Sequence, residues 1–330
     1  MKCFCCIIPV LLASEISFCG SAPGAVDEGP KTPNTAMSPE LNSEVGATNL
    51  TRGIIFCQSQ RWEEAIREFG KAIRSNPSNA LAYEWRGSAF FAKGDMDKAI
   101  KDFGRAIQLN PASAVAYINR ANAYRATYKF SKALRDVNES LRLSPTNELA
   151  YKCRASIYKA AGRFEKAISD CTAVLGLNPA EVTAYIMRGY CYRMIGQPEK
   201  AIADYSKAIQ LSPKDAEALN EMAWIRATCP VAAVRDGNEA VKMASKACEL
   251  TGWAVWQYVD TLAASFAEAG DFAKAIQYQK HAMNMQGVNK TDRKEMRYRL
   301  SLYEGRHPYR EKGKPSRRKD DAAKQKQLSR

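Results

Sequence analysis

Histidine is nearly missing from this chain: His281 and His307 are the only two in 330 residues, and neither has a cysteine close by in sequence. That removes the usual donor sets for a zinc site. The chain also has no G-x-x-x-x-G-K loop, no G-x-S-x-G turn and no H-E-x-x-H helix. Phosphate cradles, acyl-transfer nucleophiles and metalloprotease chemistry are thereby left without their residues. Ten cysteines are present, but the six beyond residue 22 (Cys57, Cys153, Cys171, Cys191, Cys229 and Cys248) show no C-x-x-C spacing. They read as small core residues. No catalytic, cofactor or metal residue emerges, no small-molecule substrate is implied, and the chain reads as a non-enzyme.

Long hydrophobic runs are lacking too. The most apolar stretch, Phe4 to Ala13, is too short to span a bilayer. With Lys2 before it and Gly20, Ser21 and Ala22 after it, residues 1–22 read as a signal peptide, which makes the protein exported, to the periplasm or outside the cell, with membrane association as a variant. Pro9 and Glu15, and the unpaired cysteines, keep a cytoplasmic protein open as the alternative. From residue 23 to 45 apolar side chains become scarce and Pro, Gly, Ser, Thr and Asn take over, the composition of a flexible linker.

What the chain does have is a period. Pro77, Pro111, Pro145, Pro179 and Pro213 follow one another at intervals of 34 residues. Units started at Gly46, Ala80, Ala114, Glu148 and Val182 align in one register. Position 8 is then small in every unit (Gly53, Gly87, Ala121, Ala155, Gly189), position 11 aromatic (Phe56, Phe90, Tyr124, Tyr158, Tyr192) and position 20 alanine (Ala65, Ala99, Ala133, Ala167, Ala201). Apolar residues three and four apart make each unit two amphipathic helices. Gly94, Gly162, Gly196 and Gly270 fall where a first helix would stop in a left-handed conformation, and Pro198 where a second helix would begin. Position 7 is arginine (Arg52, Arg86, Arg120, Arg154, Arg188) and position 23 acidic (Glu68, Asp102, Asp136, Asp170, Asp204) in the same five units, which predicts a cross-helix ion pair in each.

This pattern, with an aromatic at position 4, small residues at 8 and 27, an aromatic at 11, alanine at 20 and proline at 32, resembles the tetratricopeptide repeat (TPR) family. Two further, less regular units follow, and the segment from Leu219 to Ala282 is similar to a C-terminal module that closes many bacterial proteins of that family. The resemblance implies an all-α, right-handed α-solenoid of about seven helix–turn–helix repeats with a C-terminal capping helix. The expected division is repeats at 46–79, 80–113, 114–147, 148–181, 182–215, 216–255 and 256–288, a cap at 289–303 and a basic tail at 304–330.

The resemblance also implies a function: a scaffold binding a peptide or helix of another protein in a concave groove lined by positions 2, 5, 6, 9, 12 and 13 of the first helices. In this sequence those positions hold Trp85, Phe91, Asn119, Asn122, Arg125, Lys152, Lys159, Tyr190 and Arg193. Arg125, Lys159 and Arg193, all at position 12, make the middle of that groove basic and favour an acidic or carboxylate-bearing partner segment. Glu217, Glu221, Asp260 and Glu268 make its C-terminal part acidic. The competing function lies in the tail. Basic residues outnumber acidic ones 49 to 35 over the chain, and ten of the 49 fall between Arg306 and Arg330. Such a run is suited to tethering the protein to RNA, an anionic lipid or an acidic protein, with the repeats as a spacer.

Overall fold

The computed structural model describes residues 39–311, with side chains from Gly46 onward. The signal segment, most of the linker and the tail beyond Glu311 lie outside the described residues. Within them every regular element is helical, and fourteen helices pair into seven antiparallel hairpins. These are α1 (Pro39–Gln58) with α2 (Trp62–Ser75), α3 (Ala80–Lys93) with α4 (Met96–Leu109), and α5 (Ala114–Ala126) with α6 (Phe130–Leu143). Next come α7 (Glu148–Ala160) with α8 (Phe164–Leu177), and α9 (Val182–Met194) with α10 (Pro198–Leu211). Last are α11 (Ala216–Thr228) with α12 (Gly237–Leu250), and α13 (Trp256–Glu268) with α14 (Phe272–Asn284); α15 (Lys290–Glu304) packs on α14. The chain is thus an all-α hairpin solenoid. It divides within α7 into two compact units, one ending at Cys153 and the other beginning at Arg154.

The hairpins close where the small residues allow it. Ala65, Ala99, Ala133, Ala167 and Ala201 are fully buried. A Cβ placed on Gly53, Gly87 or Gly189 would come within 2.4, 2.8 or 2.7 Å of the ring of Phe69, Phe103 or Tyr205. Position 8 is therefore glycine wherever the residue sixteen further on is a large ring. Where that residue is Val137 or Cys171, position 8 is alanine, Ala121 or Ala155. Turns follow from local chemistry: Gly94 takes φ 92° at the end of α3, and the side chains of Asn79, Asp95, Ser113, Asp215, Asp236, Asp271 and Asn289 cap helix N-termini.

Three features differ from the sequence reading. Residues 39–45, assigned to the linker, are the first turns of α1, and proline at the first helical position costs no hydrogen bond. Only four of the five expected ion pairs form, since Glu68 takes Lys71 on its own helix in place of Arg52. Residues 308–311, assigned to a solvated tail, are half-buried against the rest of the second unit.

Candidate partner-binding site

In the first unit the residues read as groove-lining are mostly engaged with the protein itself. Trp85 stacks on Phe69 at 6.3 Å between ring centres and packs with Cys57, Ala65 and Ala89; Phe91 packs beside Ala99, Phe103 and Ala123. Both rings thus help hold one hairpin against the next. Asn119 is buried and donates from Nδ2 to Glu84 Oε1 at 3.4 Å, while Ser113 donates to Glu84 Oε2. Burial pushes the Glu84 carboxyl up, against the lowering effect of the Ser113 hydrogen bond. Asn122, also buried, accepts from the Cys153 thiol, and Lys152 pairs with Glu148 one turn back at 2.8 Å. Arg125 is half-buried with Nε enclosed and unbonded.

In the second unit the remaining three lie together. Lys159 sits over the Tyr190 ring at 4.3 Å and Arg193 lies 5.0 Å from the same ring. Arg193 is not a free cation in water: its side chain is only 10% exposed and it pairs with Glu221 at 3.4 Å and with Glu311 at 2.5 Å. Burial alone would lower its pKa; the two carboxylates outweigh that and raise it, so it stays charged. Tyr205 donates to the same Glu221 oxygen at 3.2 Å.

Glu311 is the residue that sequence reasoning missed, and its segment comes with it. The backbone leaves α15 through Gly305 and Arg306, the latter in a left-handed conformation with φ 57°. His307 then donates from its backbone to Leu302 O, and the chain crosses back over α13 and α11 to α9. Tyr309 lies 6.0 Å from Trp224, with the Arg299 guanidinium 5.6 Å from its ring. Arg310 reaches Glu268 at 2.6 Å, and the Glu311 N–H donates to Thr228 O at 2.9 Å. Trp224, Thr228, Glu221, Glu268 and Arg193 stand at positions 9, 13, 6, 13 and 12 of their units. An extended piece of chain therefore lies on the positions that the sequence singled out for ligands.

The acidic groove expected at the C-terminal end is largely neutralised. Glu268 also pairs with Arg235 at 2.9 Å, and Asp260 is buried between Gln279 and Arg299, at 2.7 and 2.9 Å. Among the described residues no cluster of His, Cys, Asp and Glu could hold a metal ion. The six cysteines among the described residues are buried and form no disulfide with one another, and burial raises the thiols of Cys57, Cys171 and Cys248 to about 12, far from the range in which a thiolate attacks.

Family models of the tetratricopeptide repeat match residues 50–114, 154–181 and 182–215, in register with the hairpins. The chain is a tetratricopeptide repeat protein, with the matches falling on its first, second, fourth and fifth hairpins. Two solved structures resemble the chain over most of its length. A TPR protein from Parabacteroides merdae ATCC 43184 is 19% identical, with a TM-score of 0.57, covering 79% of this chain and 99% of that one. The APC/C hetero-tetramer Cut9–Hcn1 is 17% identical, with a TM-score of 0.58, covering 69% of this chain and 45% of that one. At these identities the likeness is one of fold. No curated protein matches the chain. TPR folds are in general protein-interaction scaffolds, and the repeats of this chain support a scaffold of that general kind.

Proposed function

We propose that the ligand-lining positions of the first helices bind an extended segment of another protein. The observation that supports this reading is the chain's own segment 307–311 on those positions of α9, α11 and α13. A surface that accepts one extended segment through an aromatic contact, two ion pairs and a helix-end carbonyl has the chemistry to accept another. In the first unit the same positions offer a different environment: buried amides at Asn119 and Asn122, the shielded guanidinium of Arg125, and Glu84 beside them. A carboxylate or carbonyl reaching Arg125 Nε would satisfy a donor that the folded chain leaves unbonded.

The test uses a partner retained by the full-length protein and then purified. Its affinity for the Arg125→Glu variant should fall at least tenfold, while Lys132→Glu, on the second helix of the same hairpin, should leave it within twofold. The tether reading gives the opposite pattern. If affinity survives Arg125→Glu and disappears when the chain ends at Glu311, the basic residues from Lys312 onward carry the interaction and the groove reading is wrong.

A further inference from the structure

The segment at 307–311 is held in a way that differs from the rest of the fold. It has no helix or strand of its own, its side chains from Pro308 onward are half-buried, and its hold on the body of the unit is short. That hold is the Tyr309 ring, set among Trp224, Tyr298, the Arg299 guanidinium and the core around Ala263 and Tyr303, together with the Arg310–Glu268 pair, the Glu311–Arg193 pair, and the Glu311 N–H on Thr228 O. The surface beneath also has contacts of its own. Arg193 keeps Glu221, Glu268 keeps Arg235, and Tyr205 keeps its bond to Glu221. One group there wants more than the fold gives it: Arg193 is nine-tenths buried, its Nε has no partner, and Glu221 reaches it only at 3.4 Å. With the segment in place this enclosed guanidinium has one short pair, to Glu311, and apart from it only the long one to Glu221, so the position that Glu311 fills is a carboxylate site. Next to it stand the helix-end carbonyl of Thr228, which accepts from the Glu311 N–H, an indole face at Trp224 and a carboxylate at Glu268.

These groups define a reader of sequence. An indole, an anion, and then a buried cation beside a helix-end acceptor, met in that order along the segment, match an aromatic residue followed by a basic one and then an acidic one. The chain's Tyr309, Arg310 and Glu311 are that triplet.

We infer that the surface of α9, α11 and α13 is a peptide site for a partner segment of the form aromatic–basic–acidic, and that residues 307–311 occupy it as a competing self-ligand. This rests on the groove reading above and adds the partner's chemistry and its control. The self-ligand follows α15 after a single turn, so its effective concentration is on the order of millimolar or higher. A partner with only these three contacts cannot displace it at micromolar levels; one that also grips neighbouring positions can. Free site is scarce until such a partner arrives, which lowers the apparent affinity for short ligands by the fraction of chains that are open.

The experiment uses the full-length chain and a dye-labelled peptide of residues 306–314, RHPYREKGK, read by fluorescence anisotropy. In the wild-type chain the peptide should bind weakly. In the Tyr309→Ala, Glu311→Gln variant, whose self-ligand is weakened while its groove is intact, the peptide should bind at least tenfold more tightly. The Glu311→Lys single variant should give a smaller gain in the same direction, and it covers the case in which the double variant is poorly folded by circular dichroism. A control peptide with alanine and glutamine in place of its tyrosine and glutamate should lose the gain. Equal affinity of wild type and both opened variants would overturn the self-ligand. Equal affinity of the two peptides would reduce the binding to net charge and overturn the triplet. Either result leaves the Arg125→Glu experiment free to stand or fall by itself.

Discussion

At the scale of the residue, the feature that repeats most faithfully is the arginine–carboxylate pair between the two helices of a hairpin. Arg86, Arg120, Arg154 and Arg188 each grip an aspartate sixteen residues on through both Nε and a terminal nitrogen, at 2.7 to 2.9 Å. The carboxylates are almost fully buried and the guanidinium groups about one-fifth exposed. Removing one partner leaves the other enclosed, so Arg120→Met or Asp136→Met should each cost about 1.5 to 3 kcal/mol, the worth of a charged hydrogen-bonded group left without its mate. The double variant should cost less than the sum by about 1 kcal/mol or more. Thermal or denaturant melts of the four proteins measure this, and additive losses would show that the pair contributes nothing of its own. Arg52→Met should change stability by no more than about 0.5 kcal/mol, because Arg52 is exposed and Glu68 is taken by Lys71. The repeat made all five pairs legible in sequence. The fifth does not form: Glu68, the one glutamate at position 23, takes Lys71 on its own helix, although Arg105 and Lys207 at the same place in two other units leave their cross-helix pairs intact.

At the scale of the element, the distance between paired helices is set jointly by two positions. Position 8 and position 24 share one space. Gly87 admits the Phe103 ring, which is completely buried, and hairpin three divides the same space between Ala121 and Val137. Gly87→Ala should therefore cost about 1 to 3 kcal/mol by overpacking, since the ring atoms stand 2.8 and 2.9 Å from the new methyl. Phe103→Val alone should cost about 2 to 4 kcal/mol by leaving a cavity. Combined, they reproduce the hairpin-three arrangement and should cost at least about 1 kcal/mol less than their sum, as read from denaturant midpoints. A strictly additive pair would mean that the helices adjust their spacing freely. Small residues at position 8 were visible in the sequence; their trade against position 24 became clear only with the rings placed. The start of α1 was illegible for a different reason: Pro39 to Gly46 carries helix-start residues but little apolar periodicity, so composition alone made it linker.

At the scale of the whole molecule, the parts least visible in sequence are those that do not repeat. The class of fold followed from the 34-residue period, whereas the seat of residues 307–311 did not. A stretch with a basic majority and a single aromatic, Tyr309, reads as solvated, and nothing in its spacing marks Glu311 as the partner of a buried arginine 118 residues earlier. Contacts of that kind depend on an open face left by the last hairpins, which a linear pattern cannot display. The repeating part carries a sharper physical consequence. Within each compact unit the second helix of a hairpin packs on its own first helix and on the first helix of the following hairpin, as α2 does with α1 and α3, α4 with α3 and α5, and α10 with α9 and α11. Ala72, Ile73 and Ala82 form one such shared core, and Ala106, Ile107 and Ala116 another. One hairpin alone therefore exposes half of its apolar surface, and its 34 residues pay about 1 to 2 kcal/mol each in lost backbone entropy against that reduced burial. The fragment Ala80–Ser113 should be largely unfolded by circular dichroism at 25 °C. A fragment of residues 46–147, with three hairpins and two shared cores, should fold and melt cooperatively, at a lower temperature than the full chain. A cooperative melt from the single hairpin would contradict the account, because it would place the stability inside the repeat unit and leave the interfaces between units with nothing to contribute.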